Sequence, residues 1–176
     1  HTLHLSNLLN DLIDISMIES GRMRMSFRYF LIGEYLENLV QEYQPIADEK
    51  NIEIIVHPIR KKLKIFGDKD RLKQVFDNLI RNAVKYSGGN KIELLVEEGE
   101  ENAAIKIRDN GAGIPENELD RIFERFYRTE KVRASSVSGT GLGLAIVKHI
   151  IEAHGSRVTV NSRQNEGTEF LFKLKK

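Results

Sequence analysis

The 176-residue chain is long enough for one ordinary domain with a small additional segment. Its 40% hydrophobic content supplies a core, and its net charge of +1 creates no global field that would recruit nucleic acid or an anionic membrane. Cysteine is absent, which excludes disulfides and thiolate zinc sites and fits a reducing compartment. The sequence shows no run of about 18 apolar residues and no signal peptide.

The N-terminal segment predicts an amphipathic helix with a helix-pairing face. Its apolar stripe follows a 3-4-3 spacing through Leu5, Leu8, Leu12 and Ile15. Gly21 ends the pattern, so we expect residues 1–21 to form one segment and residues 22–176 one domain. The chain begins at His1 in the middle of the helical pattern, and we therefore expect it to be part of a longer protein.

The next segment predicts alternating strands and helices. Apolar and polar residues alternate over 22–29, which is typical of a half-buried strand. A second apolar stripe predicts a helix over 35–47. Short apolar runs predict strands over 52–56 and 63–66.

The second half of the chain begins with Asp68, a suitable N-cap for a helix that reaches about Tyr86. The later predicted elements are strands over 91–97 and 103–108, a short helix near 116–123, a helix over 142–154, and strands over 157–162 and 168–174. Five or more strands with three helices predict an α+β fold, in which the helices pack on one face of a mixed sheet.

A glycine-rich segment lies immediately before the last predicted helix. Gly139, Gly141 and Gly143 give the pattern G-x-G-x-G, and Leu144 stands where a dinucleotide fingerprint requires its third glycine. The Gly-Lys-Ser/Thr of a P-loop does not occur. Glycines at a helix start allow backbone amides to approach a phosphate, although a simple helix-entry loop is the alternative.

Asp109 follows an apolar strand and precedes two glycines. A carboxylate at a strand end can accept a hydrogen bond from the adenine amino group, which would reject guanine. Gly111 and Gly113 leave room for a base against the backbone. The alternative is an Asx turn that closes the strand.

Polar residues share one face of the helix predicted to reach Tyr86. Asn78, Asn82 and Lys85 recur at spacings of four and three, opposite the apolar stripe. Such a face could simply be solvated. It could also hold a metal ion and phosphate groups.

The segment Phe123–Arg128 combines aromatic and cationic side chains. We expect its three aromatic residues to belong to the core: Phe123, Phe126 and Tyr127. Arg125 and Arg128 carry several donors that match phosphoryl oxygens. Residues 129–138 are basic and Ser-rich without apolar periodicity, which predicts a mobile lid.

In their order and spacing, four motifs resemble the ATP-binding domain of sensor histidine kinases over roughly residues 30–174. The motifs are Asn78–Tyr86, Asp109–Pro115, Phe123–Arg128 and Gly139–Ala145. The resemblance implies a Bergerat-type ATP-binding fold, a two-layer α/β sandwich preceded here by the amphipathic helix. It also implies ATP and Mg²⁺ as cofactors.

The resemblance implies a role for each motif residue. It assigns Asn82 to the magnesium ion and Lys85 to phosphate charge. It assigns Asp109 to adenine, with support from Thr168. Arg128 is the stronger candidate for the γ-phosphate and Arg125 the weaker one. The other implied nucleotide contacts come from Asn78, Tyr86, Gly111, Gly113, Ile114, Gly139, Thr140, Gly141, Leu142, Gly143 and Leu144.

Asn78 bears on the type of reaction. Related ATPases of the wider superfamily, such as gyrase and mismatch-repair proteins, carry at this position a Glu that activates water. Asparagine cannot take up a proton at neutral pH. A site with Asn78 is therefore expected to hydrolyse ATP poorly, which favours transfer to a separate acceptor.

None of the five histidines matches the acceptor motif of this family, a His followed by an acidic residue and shortly afterwards by Pro. His154-Gly155 resembles the usual end of the helix after the lid, with Ser156 where a second glycine is common. Residues 1–20 resemble the end of the second helix of a dimerising hairpin. We therefore expect the acceptor histidine to lie outside this sequence.

The resemblance implies the catalytic domain of a two-component sensor kinase. Its expected partners are its own dimerisation and histidine-phosphotransfer domain, in a homodimer of the full-length protein, and a cognate response regulator, with no nucleic acid. Its expected location is the cytoplasmic part of a membrane-bound sensor. The alternatives are an ATP-hydrolysing protein of the same superfamily, disfavoured by Asn78, and a catalytically silent nucleotide-binding regulator.

Overall fold

A computed structural model of the chain describes residues 2–134 and 139–176. Its helices are α1 (Thr2–Glu19), α2 (Ile32–Glu49), α3 (Lys69–Asn82), α4 (Glu116–Leu119), α5 (Glu130–Ala134) and α6 (Gly143–Ala153). Its strands are β1 (Arg28–Leu31), β2 (Glu53–Val56), β3 (Lys64–Gly67), β4 (Lys91–Glu98), β5 (Asn102–Asp109), β6 (Thr159–Arg163) and β7 (Gly167–Lys175). A π-helical turn, Ala83–Ser87, continues α3.

The strands form one seven-stranded sheet in the order β1-β3-β7-β5-β4-β2, with β6 paired to β7. The β2–β4 pair is parallel and the other pairs are antiparallel. The sheet is therefore mixed, as the sequence predicts.

The two faces of the sheet differ because side chains alternate along each strand. In β5, Ala103, Ile105 and Ile107 are buried in a core that they share with apolar residues of α2, α3 and α6. The intervening Lys106 and Arg108 form ion pairs on the opposite face. One face is thus covered by helices, which confirms the predicted two-layer α+β architecture.

The start of α3 is fixed by a capping contact and by α6. The Asp68 side chain accepts hydrogen bonds from the backbone N–H groups of Asp70 (3.0 Å) and Arg71 (3.1 Å), which confirms the predicted N-cap. The Asp68 backbone N–H donates to His154 Nε2 over 3.0 Å. His154 Nδ1 donates in turn to the Ile150 carbonyl over 2.7 Å.

The strand predicted over 22–29 is wrong in position and in the direction of its side chains. β1 begins at Arg28, and Phe30 is the residue that enters the core. Phe27 and Tyr29 lie outside the core. The Phe27 ring stacks on the Phe66 ring with centroids 5.4 Å apart, and the Tyr29 ring packs against Phe66 at a tilt, with centroids 5.0 Å apart. This stacking partly shields aromatic rings that the alternation alone would place inside.

Two predicted helices also differ in their ends. The helix predicted near 116–123 ends at Leu119. The helix predicted to reach Tyr86 ends as an α-helix at Asn82 and continues as the π-helical turn. π-Helical turns are rare in proteins, and many of those that occur lie at functional sites.

α1 packs against the rest of the chain through both apolar and polar contacts. Ile15 is buried, and the Asp14 carboxylate pairs with Arg71 over 3.0 Å. Leu9, Leu12 and Ile13 remain exposed. None of the helices in the described ranges is both long and apolar enough to cross a membrane.

Candidate nucleotide site

A cavity of about 520 Å³ opens between α1, α3 with its π-helical turn, the segment after β5 and the start of α6. This volume lies in the range of small-molecule sites. Most residues that the sequence predicts for the site line this cavity: Asn78, Asn82, Lys85, Tyr86, Asp109, Gly113, Ile114, Arg128, Gly139, Thr140, Gly141, Gly143, Leu144 and Thr168.

Asp109 lies at the end of β5, on the helix-covered face of the sheet, because it continues the alternation of the buried apolar residues of that strand. Only 8% of the residue is exposed. Its Oδ1 accepts a hydrogen bond from the Gly111 N–H over 2.9 Å, and its register partner is Thr168 on β7. Burial raises the pKa of Asp109, against the effect of backbone hydrogen bonds from Gly111 and Thr168.

The two glycines after Asp109 allow close backbone packing. A Cβ on Gly111 would overlap the Ser87 carbonyl of the π-helical turn, and Gly111 does not line the cavity. Gly113 adopts φ +66°, and a Cβ there would overlap the Arg163 carbonyl. Gly111 therefore serves to bring the end of β5 against the π-helical turn, and Gly113 to bring the loop against β6.

Ser162 joins the segments around Asp109 and has no signal in the sequence. Its Oγ accepts a hydrogen bond from the Ile114 N–H and donates to the Gly167 carbonyl, each over 2.8 Å. The same hydroxyl lies 2.9 Å from Thr168 Oγ1. Ser162 therefore orders one wall of the cavity, although sequence reasoning does not identify it.

Asn78 connects α3 with the glycine-rich segment. Its Nδ2 donates to the Gln74 carbonyl over 3.0 Å. A Cβ on Gly143 would lie 2.5 Å from Asn78 Oδ1, so a larger residue at the start of α6 would displace the Asn78 amide. Gly139 makes a similar close approach to the Tyr86 hydroxyl.

Lys85 and Arg81 give the cavity a cationic wall. Burial and the charges of Arg81 and Lys50 lower the pKa of Lys85, while the charge of Asp11 opposes the shift. Positively charged side chains that repel each other in this way are stabilised when an anion binds between them.

α1 supplies an acidic residue that sequence reasoning does not place in the site. Asp11 Oδ2 accepts a hydrogen bond from Thr140 Oγ1 over 3.0 Å, and Thr140 Oγ1 accepts one from the Leu142 N–H over 3.1 Å. Burial raises the pKa of Asp11, and the hydrogen bond from Thr140 opposes this shift. The N-terminal helix therefore contacts the glycine-rich segment at the cavity wall.

Arg128 lies at the boundary between the cavity and α5. Its Nη2 donates to the Val132 carbonyl over 3.0 Å. Burial raises the pKa of Tyr86, and the nearby charge of Arg128 opposes the shift. Within the predicted lid over 129–138, residues 130–134 form α5, and residues 135–138 lie outside the described part of the chain.

Three predicted residues lie elsewhere than the sequence suggests. Arg125 is exposed and does not line the cavity. Leu142 is fully buried in the core at the start of α6. Phe126 is 65% exposed, so the prediction that it belongs to the core is wrong. Its φ of +62° and its N–H bond to the Gly141 carbonyl, over 2.8 Å, direct its ring away from the core.

The described residues contain no group of three His, Cys, Asp or Glu side chains that could hold a metal ion by themselves. Asn82 nevertheless brings an amide oxygen to the cavity, and hard divalent cations favour oxygen ligands. This chemistry fits a magnesium ion whose other ligands are phosphate oxygens and water.

A mixed sheet covered by helices on one face, with a buried carboxylate at a strand end and cationic side chains lining the same cavity, is suited to binding an anionic nucleotide. Residues 67–176 match the family of histidine kinase-, DNA gyrase B-, and HSP90-like ATPases, and the chain belongs to this family.

The chain is similar to sensor histidine kinases along almost its whole length. It is 38% identical over 172 residues to the sensor protein kinase WalK of Staphylococcus aureus, which covers 95% of this chain and 40% of that relative. Full-length ShkA in complex with AMPPNP matches with a TM-score of 0.84 at 30% identity, over 97% of this chain and 35% of ShkA. Histidine kinase ThkA, in complex with the response regulator protein TrrA, matches with a TM-score of 0.78 at 26% identity. This match covers 99% of the present chain and 49% of the ThkA chain.

Proposed function

We propose that this chain is the catalytic and ATP-binding domain of a two-component sensor histidine kinase, and that it transfers the γ-phosphate of Mg-ATP to a histidine. One observation carries the proposal: a single cavity, in a member of this ATPase family, is lined by the buried Asp109 carboxylate together with Asn78, Asn82, Lys85 and Arg128. WalK is named as a sensor protein kinase and ThkA as a histidine kinase.

In this proposal, Asp109 accepts a hydrogen bond from the adenine amino group, and Thr168 supports that contact. The base lies against the segment after β5, beside Gly113 and Ile114. The structure with AMPPNP, an ATP analogue, supports ATP as the nucleotide of the similar protein ShkA. The phosphates extend toward Lys85 and the start of α6, where Gly139, Gly141 and Gly143 permit close approach of backbone groups.

Asn82 is the proposed protein ligand of the magnesium ion. The ion supplies charge neutralisation and orientation of the phosphates when it is bound. Lys85 and Arg128 stabilise negative charge that develops as the phosphoryl group leaves ADP. Tyr86 packs beside the nucleotide, and Arg125 is a weaker candidate for a phosphate contact because it is exposed.

Asn78 distinguishes transfer from hydrolysis. Its amide is no general base, so water in the cavity is poorly activated. An acceptor histidine held in line with the phosphate removes the need for an activated water, because such transfer depends mainly on positioning and charge.

We assign residues 1–21 to the end of the dimerising hairpin and its linker, and residues 22–176 to the catalytic domain. The chain spans 40% of the length of WalK, so the acceptor histidine and the homodimer belong to the proposed full-length protein. The ThkA–TrrA complex supports a response regulator as the second partner. We also propose a location on the cytoplasmic side, as part of a membrane-bound sensor.

The test uses radiolabelled ATP with this chain alone, with the parent's dimerisation hairpin alone, and with both. We expect acid-labile label only on the hairpin, and only in the mixture. Transfer is expected to be slow because no covalent tether raises the local concentration. Brisk phosphate release by the chain alone would indicate an ATP hydrolase, and nucleotide binding without any transfer would indicate a silent regulator.

A further inference from the structure

Glu118 is a buried carboxylate at the junction between the sheet and the arginine-bearing segment. Only 7% of the residue is exposed. Its backbone N–H donates to the Pro115 carbonyl over 2.9 Å, at the start of α4. The preceding Ile114 is bonded to Ser162 of β6 over 2.8 Å, so a short series of contacts connects α4 to the rigid sheet.

The Glu118 side chain holds the chain on both sides of Arg128. Its Oε2 accepts a hydrogen bond from the Tyr127 hydroxyl over 2.8 Å and another from the Glu130 N–H over 3.2 Å. The Arg121 guanidinium lies over the Tyr127 ring, 4.4 Å from its centroid, and gives this ring a second contact. One carboxylate oxygen therefore holds the Tyr127 side chain, just before Arg128, and the Glu130 backbone, just after it.

α5 depends on tertiary contacts because it is short and exposed. It contains five residues, and none of them is buried. A helix of this length is unstable in water without tertiary contacts. Arg128 donates to the Val132 carbonyl within α5, so the position of this helix sets where the guanidinium lies at the cavity wall.

We propose that Glu118 is a positioning residue that holds Arg128 in the orientation required to contact the γ-phosphate. The inference rests on the proposed function, in which Arg128 binds that phosphate. Glu118 itself does not line the cavity, and it acts through Tyr127 and the first turn of α5.

The test compares binding of AMPPNP with binding of ADP in the presence of magnesium, by calorimetry. ADP lacks the γ-phosphate, so the ratio of the two affinities isolates the contact made by Arg128. We expect Arg128→Ala to lower the affinity for AMPPNP about tenfold relative to ADP, as for loss of a charge-assisted hydrogen bond. Glu118→Ala should lower the same ratio severalfold, with ADP affinity retained, and should add almost nothing to Arg128→Ala in the double variant.

Three further variants separate positioning from general damage. Glu118→Gln keeps an acceptor oxygen and should recover most of the ratio, whereas Tyr127→Phe removes one hydroxyl and should lower it partly. Glu116→Ala removes an exposed carboxylate from the same helix and should leave the ratio unchanged. Tyr127→Phe keeps the proposal testable if Glu118→Ala does not fold, as judged by circular dichroism.

The outcomes are distinguishable. If Arg128→Ala changes the ratio but neither Glu118→Ala nor Tyr127→Phe does, the positioning role is wrong and the proposed function stands. Equal losses for AMPPNP and ADP, or additive losses in the double variant, also overturn it. If Arg128→Ala leaves the ratio unchanged, the proposed γ-phosphate contact is wrong, and the role of Glu118 is wrong with it.

Discussion

Asp109 brings a buried negative charge to the cavity, and its replacement gives a direct test of base recognition. Asp109→Asn substitutes a partly donating amide for a carboxylate that only accepts. We expect ADP affinity to fall roughly tenfold to a hundredfold, as for a lost hydrogen bond to a charged group of about 1.5–3 kcal/mol. The preference for ADP over GDP should weaken as well. Calorimetry with both nucleotides checks this, and equal binding of GDP and ADP by the unchanged protein would contradict the assignment.

The raised pKa of Asp109 also predicts a pH dependence. Because burial disfavours the ionised form, the carboxylate takes up a proton at a higher pH than an ordinary Asp. The neutral carboxyl group is a weaker acceptor for the adenine amino group than the carboxylate, so ADP affinity should fall as the pH is lowered toward this raised pKa. Asp109→Asn is the matched control, because the phosphates of the same nucleotide titrate in both proteins. A parallel decline in both would exclude Asp109 as the cause.

Asn82→Asp tests the proposed metal ligand. The substitution keeps the shape and places an anion beside the phosphates, which alters the coordination and adds repulsion. We expect the affinity for Mg-ATP to fall roughly tenfold or more, while circular dichroism shows an unchanged fold. Unchanged affinity in a folded variant would remove Asn82 from the site.

The site residues that the sequence predicts can be recognised from the pattern of their neighbours in the chain. Asp109 follows a strand whose alternation fixes the face on which it lies, and Asn82 follows Asn78 at helical spacing. Glu118 and Asp11 have no such context, because their partners Tyr127 and Thr140 are brought near only by folding. Most of the site residues that the sequence predicts therefore do line the cavity, but the sequence does not identify residues such as Glu118 that hold them in place.

At the level of secondary structure, His154 connects the end of α6 to the start of α3. Its Nε2 accepts the Asp68 N–H while its Nδ1 donates to the Ile150 carbonyl, so the ring must be neutral to make both bonds. Burial lowers the pKa of His154, and the hydrogen bond to Ile150 and the charge of Asp68 oppose this. Burial acts to raise the pKa of Asp68. Hydrogen bonds from backbone N–H groups outweigh this effect, so the pKa of Asp68 is lowered.

A lowered pKa in the folded state makes stability depend on pH. The contribution of neutral His154 to the free energy of unfolding is fully present above about pH 6.5, the pKa of histidine in the unfolded chain. This contribution is lost as the pH falls through the lower pKa that His154 has in the folded protein. Below about pH 6.5 we expect the free energy of unfolding to decline by up to about 1.4 kcal/mol per pH unit from this group. Urea titrations at several pH values measure the decline.

His154→Gln is the control for this dependence, since an amide can both accept and donate but does not titrate in this range. The variant should have a flatter dependence of the unfolding free energy on pH. Identical slopes for the two proteins between about pH 6.5 and 4.5 would show that His154 is not responsible.

Secondary structure is well predicted where burial decides it and less well where tertiary contacts override a local pattern. The stripe of α2 and the alternation of β5 and β7 reflect one buried face, and both are visible in the sequence. At the start of the first strand, Phe27 and Tyr29 contact Phe66 outside the core, and no local pattern reveals this contact. The change from α3 to the π-helical turn likewise leaves no residue signature.

Across the whole molecule, α1 meets the rest of the chain at the wall of the cavity. The hydrogen bond between Asp11 and Thr140 joins positions 129 residues apart. The sequence predicts both segments separately, but it does not predict this contact, because the apolar stripe of α1 indicates only a helix-pairing face. The position of α1 therefore gives the proposed hairpin segment a direct route to influence nucleotide binding.

Asp11→Asn tests this influence. Asp11 lines the cavity and acts electrostatically on Lys85, so its negative charge opposes the binding of phosphates. We expect the variant to bind ATP a few-fold more tightly than the unchanged chain, with a smaller gain for ADP and none for adenosine, since the repulsion scales with phosphate charge. The gain should shrink in high salt. If adenosine gains as much as ATP, charge is not the cause; if ATP binds more weakly, the dominant effect of Asp11 is to order Thr140 for the nucleotide.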